Sequence, residues 1–321
     1  MPLLTSPYRP SRIFRNGHFS TVYAGLVRKI DGLEQHRERL ELRDGDFLDL
    51  DWSYAPVQSH KLVLLLHGLE GSAQRAYITG SAKAFLAVGF DACAVNFRSC
   101  SGETNRLFRS YHSGATEDLE AVLDHVLSRS RYKQIVIKGF SLGGNLALRY
   151  LGERGALVPP EIKAAIGVSV PCDLYSSLKE LLKPKNLPYA IRFKKDLIKK
   201  LRQKQRFFPG EISDLDILKI RTLKDFDDIY TSRAHGFSDA LDYYEKCSCL
   251  PVLEGITVPT LILNARNDSF LGPECYPVRE AQKNDRLFLE VPHYGGHVGF
   301  YGPQNLTYSE KRATNFIWDQ L

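Results

Sequence analysis

Residues 134–150 read Gln134-Ile135-Val136-Ile137-Lys138-Gly139-Phe140-Ser141-Leu142-Gly143-Gly144-Asn145-Leu146-Ala147-Leu148-Arg149-Tyr150. The run Ile135-Val136-Ile137 is apolar and β-branched, which predicts a buried strand. From Leu142 onward the apolar residues recur at helical spacing, so a helix begins at Ser141. Between them lies Gly139-Phe140-Ser141-Leu142-Gly143, a G-x-S-x-G turn in the strand-to-helix setting that an exposed nucleophilic serine requires. The reason is steric: Ser141 must adopt a strained backbone conformation, and a side chain at either flanking glycine would strike the neighbouring strand or helix. The helix that follows aims unpaired backbone amides and a positive dipole end at the same spot.

Outward from this turn, the rest of the chain supplies a sheet. Leu62 to Leu66 is a continuous apolar run ending in His67-Gly68, as expected of a strand buried on both faces. Helical spacing follows at Ala76 to Val88, then a strand at Asp91 to Asn96, a helix at Ala115 to Leu127 and a strand at Ala164 to Val170. Strands at Thr260 to Asn264 and Arg286 to Val291 precede a last helix near Ser309 to Leu321. This alternation predicts a mostly parallel central sheet with helices on both faces. Upstream, Glu41 to Trp52 alternates around Asp44-Gly45-Asp46, which suggests an antiparallel hairpin.

Residues 172–249 break the alternation, being charged, aromatic and helical with no buried-strand run. They are expected to form a mainly helical cap or lid inserted between the two parts of one core, residues 1–171 and 250–321, over the strand ends where open sheets of this kind bind ligands.

With 43 basic and 37 acidic residues the net charge is +6, too small an excess to argue for nucleic acid. The basic residues concentrate at Arg9, Arg12 and Arg15 and between Lys183 and Arg206, which reads as a solvated helix face or as attraction to anionic lipid or an acidic substrate. The apolar run at the start stops at Thr5, and no segment approaches the roughly 18 apolar residues of a bilayer span. The expected location is the cytoplasm, with the six cysteines reduced. Cys247-Ser248-Cys249 has one spacer where zinc sites want two to four, so no metal is expected.

In this architecture the partners of the serine follow it in the order acid, then histidine. His293 and His297 both fall after the last strand, and the glycines of Gly295-Gly296-His297-Val298-Gly299 favour His297 as the base. Asp268 follows the preceding strand and is the candidate acid, with Asp173 and the Asp225-Phe226-Asp227-Asp228 cluster as rivals. A carboxylate there would hold the imidazole tautomer and stabilise the imidazolium formed during attack. The oxyanion donors are assigned to the amide of Leu142 and, in His67-Gly68-Leu69-Glu70-Gly71-Ser72, to that of Leu69. His67, at a strand end, is expected to serve structure. Phe193, Phe207, Phe208, Phe226, Tyr230 and Tyr243 in the insertion are candidates for an apolar acyl pocket, or for core packing.

Over nearly its full length the sequence resembles the YheT-like branch of the α/β-hydrolases. The resemblance rests on Asn16-Gly17-His18-Phe19-Ser20-Thr21, on His67 to Ser72, on Asn96-Phe97-Arg98-Ser99-Cys100-Ser101-Gly102 and on the Ser141 turn. It extends to Thr222 to Tyr230, Tyr243-Tyr244 and Gly295 to Phe300. It implies the α/β-hydrolase fold, a Ser141, Asp268, His297 triad, and esterase or acylglycerol-lipase-like activity on a small-molecule ester or lipid, with no cofactor. Two positions depart from the pattern: Ser99 stands where the family usually has Gly, and Gly17 where many members have Pro. Acyl transfer on the same triad, and a non-catalytic binding protein of the same fold, are the competing readings.

Overall fold

Strand pairing in the computed structural model, which describes residues 3–320, yields one nine-stranded sheet. Its strands are β1 (Leu3–Leu4), β2 (His36–Glu41), β3 (Phe47–Ser53), β4 (Lys61–Leu66) and β5 (Asp91–Asn96), followed by β6 (Gln134–Phe140), β7 (Ile162–Val168), β8 (Thr260–Leu263) and β9 (Leu287–Glu290). The order across the sheet is β1-β9-β8-β7-β6-β4-β5-β3-β2. Pairing is parallel throughout except where β3 meets β2 and β5. From β4 the chain adds β5 on one side and then β6, β7, β8 and β9 in turn on the other, and Ser141 follows β6 at the centre.

The continuous apolar runs occupy the middle of the sheet because both its faces are covered. Leu62, Leu64 and Ile137 pack on one face, while Val63, Leu65 and Val136 pack on the other. Helices α2 (Ala76–Leu86) and α12 (Tyr308–Gln320) cover the second face, and α3 (Thr116–Ser128), α4 (Leu142–Arg154) and α11 (Val278–Lys283) the first. A short α1 (Gly17–Val22) precedes them all. Met1, Pro2 and Leu321, the last being the expected end of the final helix, lie outside the described residues.

Between β7 and β8 lie α5 (Leu174–Leu181), α6 (Leu187–Phe207), α7 (Asp214–Lys219), α8 (Leu223–Phe226), α9 (Ser232–His235) and α10 (Ala240–Cys247). They have small cores of their own: Leu174, Leu178, Leu223, Tyr243 and Tyr244 in one, Leu201, Ile217, Phe226 and Tyr230 in another. Among the described residues no helix is long and apolar enough to cross a membrane.

Most boundaries shift by one or two residues from the expected ones, and two of the differences have a clear cause. The hairpin begins upstream, with β2 at His36–Glu41, a polar stretch that carries no apolar alternation to signal a strand. Cross-strand ion pairs take the place of that signal: Arg37 lies opposite Asp51 and Arg39 opposite Asp49, each joined by two guanidinium–carboxylate bonds of 2.7–3.0 Å. The turn itself falls as expected, with Gly45 at φ +84°. The strand expected at 164–170 instead runs from Ile162 to Val168, where Ser169 turns to φ +53° while its amide still bonds the Leu263 carbonyl of β8 at 2.9 Å.

Candidate active site

The turn after β6 has the strained geometry its glycines imply. Ser141 sits at φ 52°, ψ −119° and caps α4, whose first residue is Leu142. A Cβ on Gly139 would lie 2.3 Å from the Gly143 carbonyl oxygen, and one on Gly143 would lie 2.5 Å from the carbonyl of His67 at the end of β4. Both obstacles are backbone, so neither can yield. Ser141 is thereby held above the sheet, beside the unpaired amides of the α4 N-terminus.

The loop after β4 faces it. His67 is buried with both ring nitrogens engaged: Nδ1 donates to the Gly68 carbonyl at 2.8 Å and Nε2 accepts the Phe97 amide at 3.2 Å. Burial drives its pKa down to about 3, so it remains neutral and structural. The amides flanking Leu69 are both engaged, that of Gly68 with the Tyr77 hydroxyl and that of Glu70 with the Tyr111 hydroxyl. Leu69 itself lines a cavity together with Ser141 and Leu142.

His297 and Asp268 come together from the loops that follow β9 and β8, at the same edge of the parallel sheet. The Asp268 carboxylate is buried; its Oδ2 accepts from His297 Nδ1 at 2.9 Å and its Oδ1 from the Phe270 amide at 3.0 Å. The imidazole tautomer is therefore fixed with the proton on Nδ1, which leaves Nε2 as the basic nitrogen. The Phe270 ring lies 4.3 Å from the imidazole centroid to centroid and holds its plane. The rival acids are occupied elsewhere. Asp173 caps α5 by accepting from the Ser176 amide, and Asp225 closes a capping box with Thr222. Asp228 binds Lys224 and the Ala240 amide. His293 is exposed on the outer side of its loop.

Two cavities meet at Ser141. One, of about 140 Å³, runs beneath the inserted helices and is walled by Leu178, Leu197, Leu201, Leu223, Phe226 and Tyr230. The other, of about 160 Å³, holds His297, Phe270, Tyr189, Arg192 and Phe193. Of the aromatic residues expected there, Phe226, Tyr230 and Tyr243 line the first cavity and Phe193 the second. Phe207 is instead exposed, and Phe208 packs against Phe108. Asp227 also borders the first cavity, where burial raises its pKa to about 6 while Tyr244 and Thr231 hydroxyls bind it.

Three contributors escape a reading of single motifs. Thr21 Oγ1 accepts the His297 amide at 2.8 Å, Asn267 Oδ1 the Gly296 amide at 3.0 Å, and Ser169 Oγ the Val298 amide at 3.0 Å. The N-terminal segment thus braces the histidine loop, and the Asn16 to Thr21 stretch was its only sequence signal. Gly17 belongs to this contact, since a Cβ there would lie 2.4 Å from the Asn267 carbonyl oxygen. Ser99, the other departure, adopts φ +64°, a conformation that suits glycine; its hydroxyl compensates by bonding Asn105 Oδ1 at 2.6 Å and the Asn105 amide at 3.1 Å. A further unforeseen group is Glu70, whose carboxylate is bound by the Tyr111 hydroxyl at 2.7 Å and by Lys200 of α6 at 3.0 Å.

Residues 61–303 match the family of the alpha/beta hydrolase fold. YheT of Escherichia coli (strain K12) is 36% identical over 303 residues, which cover 93% of this chain and 88% of that one. The phospholipase ABHD3 of Homo sapiens is 28% identical over 327 residues, covering 98% of this chain and 80% of its own. Among solved structures, the Pyrococcus furiosus esterase Pf2001 superposes with a TM-score of 0.59 at 18% identity, covering 91% of this chain and 96% of that one, a likeness of fold. The chain belongs to the α/β-hydrolase family and, within it, to the YheT-like branch.

Proposed function

We propose that this protein is a carboxylic-ester hydrolase that works through an acyl-enzyme on Ser141. The observation that carries the reading is the buried Asp268–His297 pair, at 2.9 Å, in a cavity wall shared with the strained Ser141. In this mechanism His297 Nε2 takes the Ser141 proton as the hydroxyl attacks the ester carbonyl, and Asp268 stabilises the imidazolium. The Leu69 and Leu142 amides hold the developing oxyanion. His297 then gives its proton to the departing alkoxide, and water, activated by the same imidazole, releases the acid.

Proton delivery assigns the two cavities. The leaving alcohol must lie on the His297 side, so the cavity with Tyr189, Arg192 and Phe270 takes it, and the apolar cavity under the inserted helices takes the acyl chain. Residues 172–249 accordingly act as a lid on a core formed by 1–171 and 250–321. The phospholipase name of the human relative supports an acyl ester of a lipid as the substrate class. No metal or cofactor enters this scheme.

Steady-state turnover of p-nitrophenyl esters and monoacylglycerols tests the proposal. Ser141→Ala should lower kcat by about a million-fold. Activity that survives this substitution would overturn the mechanism.

A further inference from the structure

We infer that the mouth of the His297 cavity is a docking surface for an anionic lipid bilayer. Two segments form this mouth, the turn at Val22 to Leu26 that continues α1, and the first half of α6. They are tied together by His18 Nδ1 and the Tyr189 hydroxyl at 3.2 Å, with the two rings stacked.

Both segments turn apolar side chains outward around the opening. Leu26 is 57% exposed and Val27 55%, on the turn after α1. On α6, Leu187 (47%) and Ile191 (53%) stand one turn apart while Tyr189, Arg192 and Phe193 face the cavity. A folded chain gains nothing by exposing four large aliphatic groups beside one opening unless something apolar covers them.

Charge identifies that partner. The row begun by Leu187 and Ile191 continues at the same four-residue spacing to Lys195 and Lys199, both exposed. Of the eight basic side chains on α6, Lys204 is buried and Lys200 binds Glu70, which leaves six others against one acid, Asp196. Arg12 and Arg15 add two exposed positive charges on the segment just before α1. An apolar patch within a basic rim matches a bilayer in which aliphatic side chains enter the headgroup boundary while Lys and Arg meet lipid phosphates. A lipid could then pass from the bilayer into the leaving-group cavity without crossing water. That last step rests on the proposed ester hydrolysis, whereas docking is read by binding alone.

The test is flotation of the full chain with vesicles of phosphatidylcholine alone, or with about one-third phosphatidylglycerol. The wild-type protein and Ser141→Ala should both bind the anionic vesicles, and about 0.5 M salt should release them. Leu187→Asp with Ile191→Asp should lower the partition coefficient at least about ten-fold. Its unfolding temperature and its turnover of a water-soluble short-chain ester should stay unchanged, because neither residue lines a cavity. Absence of binding to anionic vesicles, or binding indifferent to the double substitution, would overturn the inference. So would a dimer in light scattering that the double substitution dissolves, since the patch would then be an interface between copies of the chain.

Discussion

At the scale of single residues, the candidate acid is separated from its rivals by what each carboxylate already binds. Asp268 offers Oδ2 to His297, whereas Asp173 is committed to the Ser176 amide. Asp268→Asn places an amide opposite Nδ1 and favours the wrong tautomer, so kcat should fall by about 10⁴-fold. Asp173→Asn keeps a competent cap, so kcat should remain within a factor of two or so and stability within about 0.5 kcal/mol. Ester kinetics on the two variants checks both; an Asp173→Asn enzyme that alone loses activity would reassign the acid. Ser141, Asp268 and His297 were legible in the sequence because each follows a strand in a fixed order, with glycines marking the turns. Thr21 was not, since its bond to the His297 amide spans 276 positions and no local pattern encodes it. Ser99 shows a subtler limit: its departure from glycine is visible in sequence, but the Asn105 bonds that make it tolerable are not.

At the scale of elements, α6 is latched to the loop that carries Leu69. Burial works against the Lys200 charge, yet Cys100 and Glu70 more than offset it and hold the lysine above its usual pKa. Removing Lys200 strands a buried carboxylate that retains only Tyr111 as a side-chain donor. Lys200→Met should therefore destabilise by about 1–3 kcal/mol, discounted because Lys200 is itself partly exposed. Adding Glu70→Gln should recover much of that loss, giving a coupling of at least about 1 kcal/mol in a denaturant double-mutant cycle. Additive effects would mean that the two side chains merely adjoin. The helical character of the insertion was readable from composition and spacing, but its register on the core was not, because pairs such as Glu70 with Lys200 lie 130 positions apart. The first hairpin strand was missed for a related reason: His36 to Glu41 is held by Arg–Asp pairs across the sheet rather than by an apolar face.

At the scale of the whole molecule, the central sheet carries a buried lysine three residues before Ser141. Lys138 is fully enclosed, its Nζ within 3.0 Å of Ser81 Oγ and 3.1 Å of the Ser309 carbonyl, and burial lowers its pKa to about 7. The folded pKa of this base lies below its unfolded value of 10.5. Below pH 7 both states bind the proton and the full penalty of burying charge applies; between about 7 and 10.5 only the unfolded state keeps it, so the Lys138 contribution makes stability rise with pH. Thermal unfolding across that window should show the rise in wild type and a flatter profile in Lys138→Met, and identical slopes would refute the assignment. The parallel core was legible from its apolar runs, since burial on both faces leaves an unbroken signature in Leu62 to Leu66 and Ile135 to Ile137. The proposed mechanism puts one reactive serine above that core, and its covalent chemistry is open to direct observation. Intact-protein and peptide mass spectrometry after treatment with a fluorophosphonate should show one adduct, on Ser141, that disappears in Ser141→Ala and is strongly slowed in His297→Ala; a folded wild-type protein that remains unlabelled, or an adduct on another residue, would contradict the account.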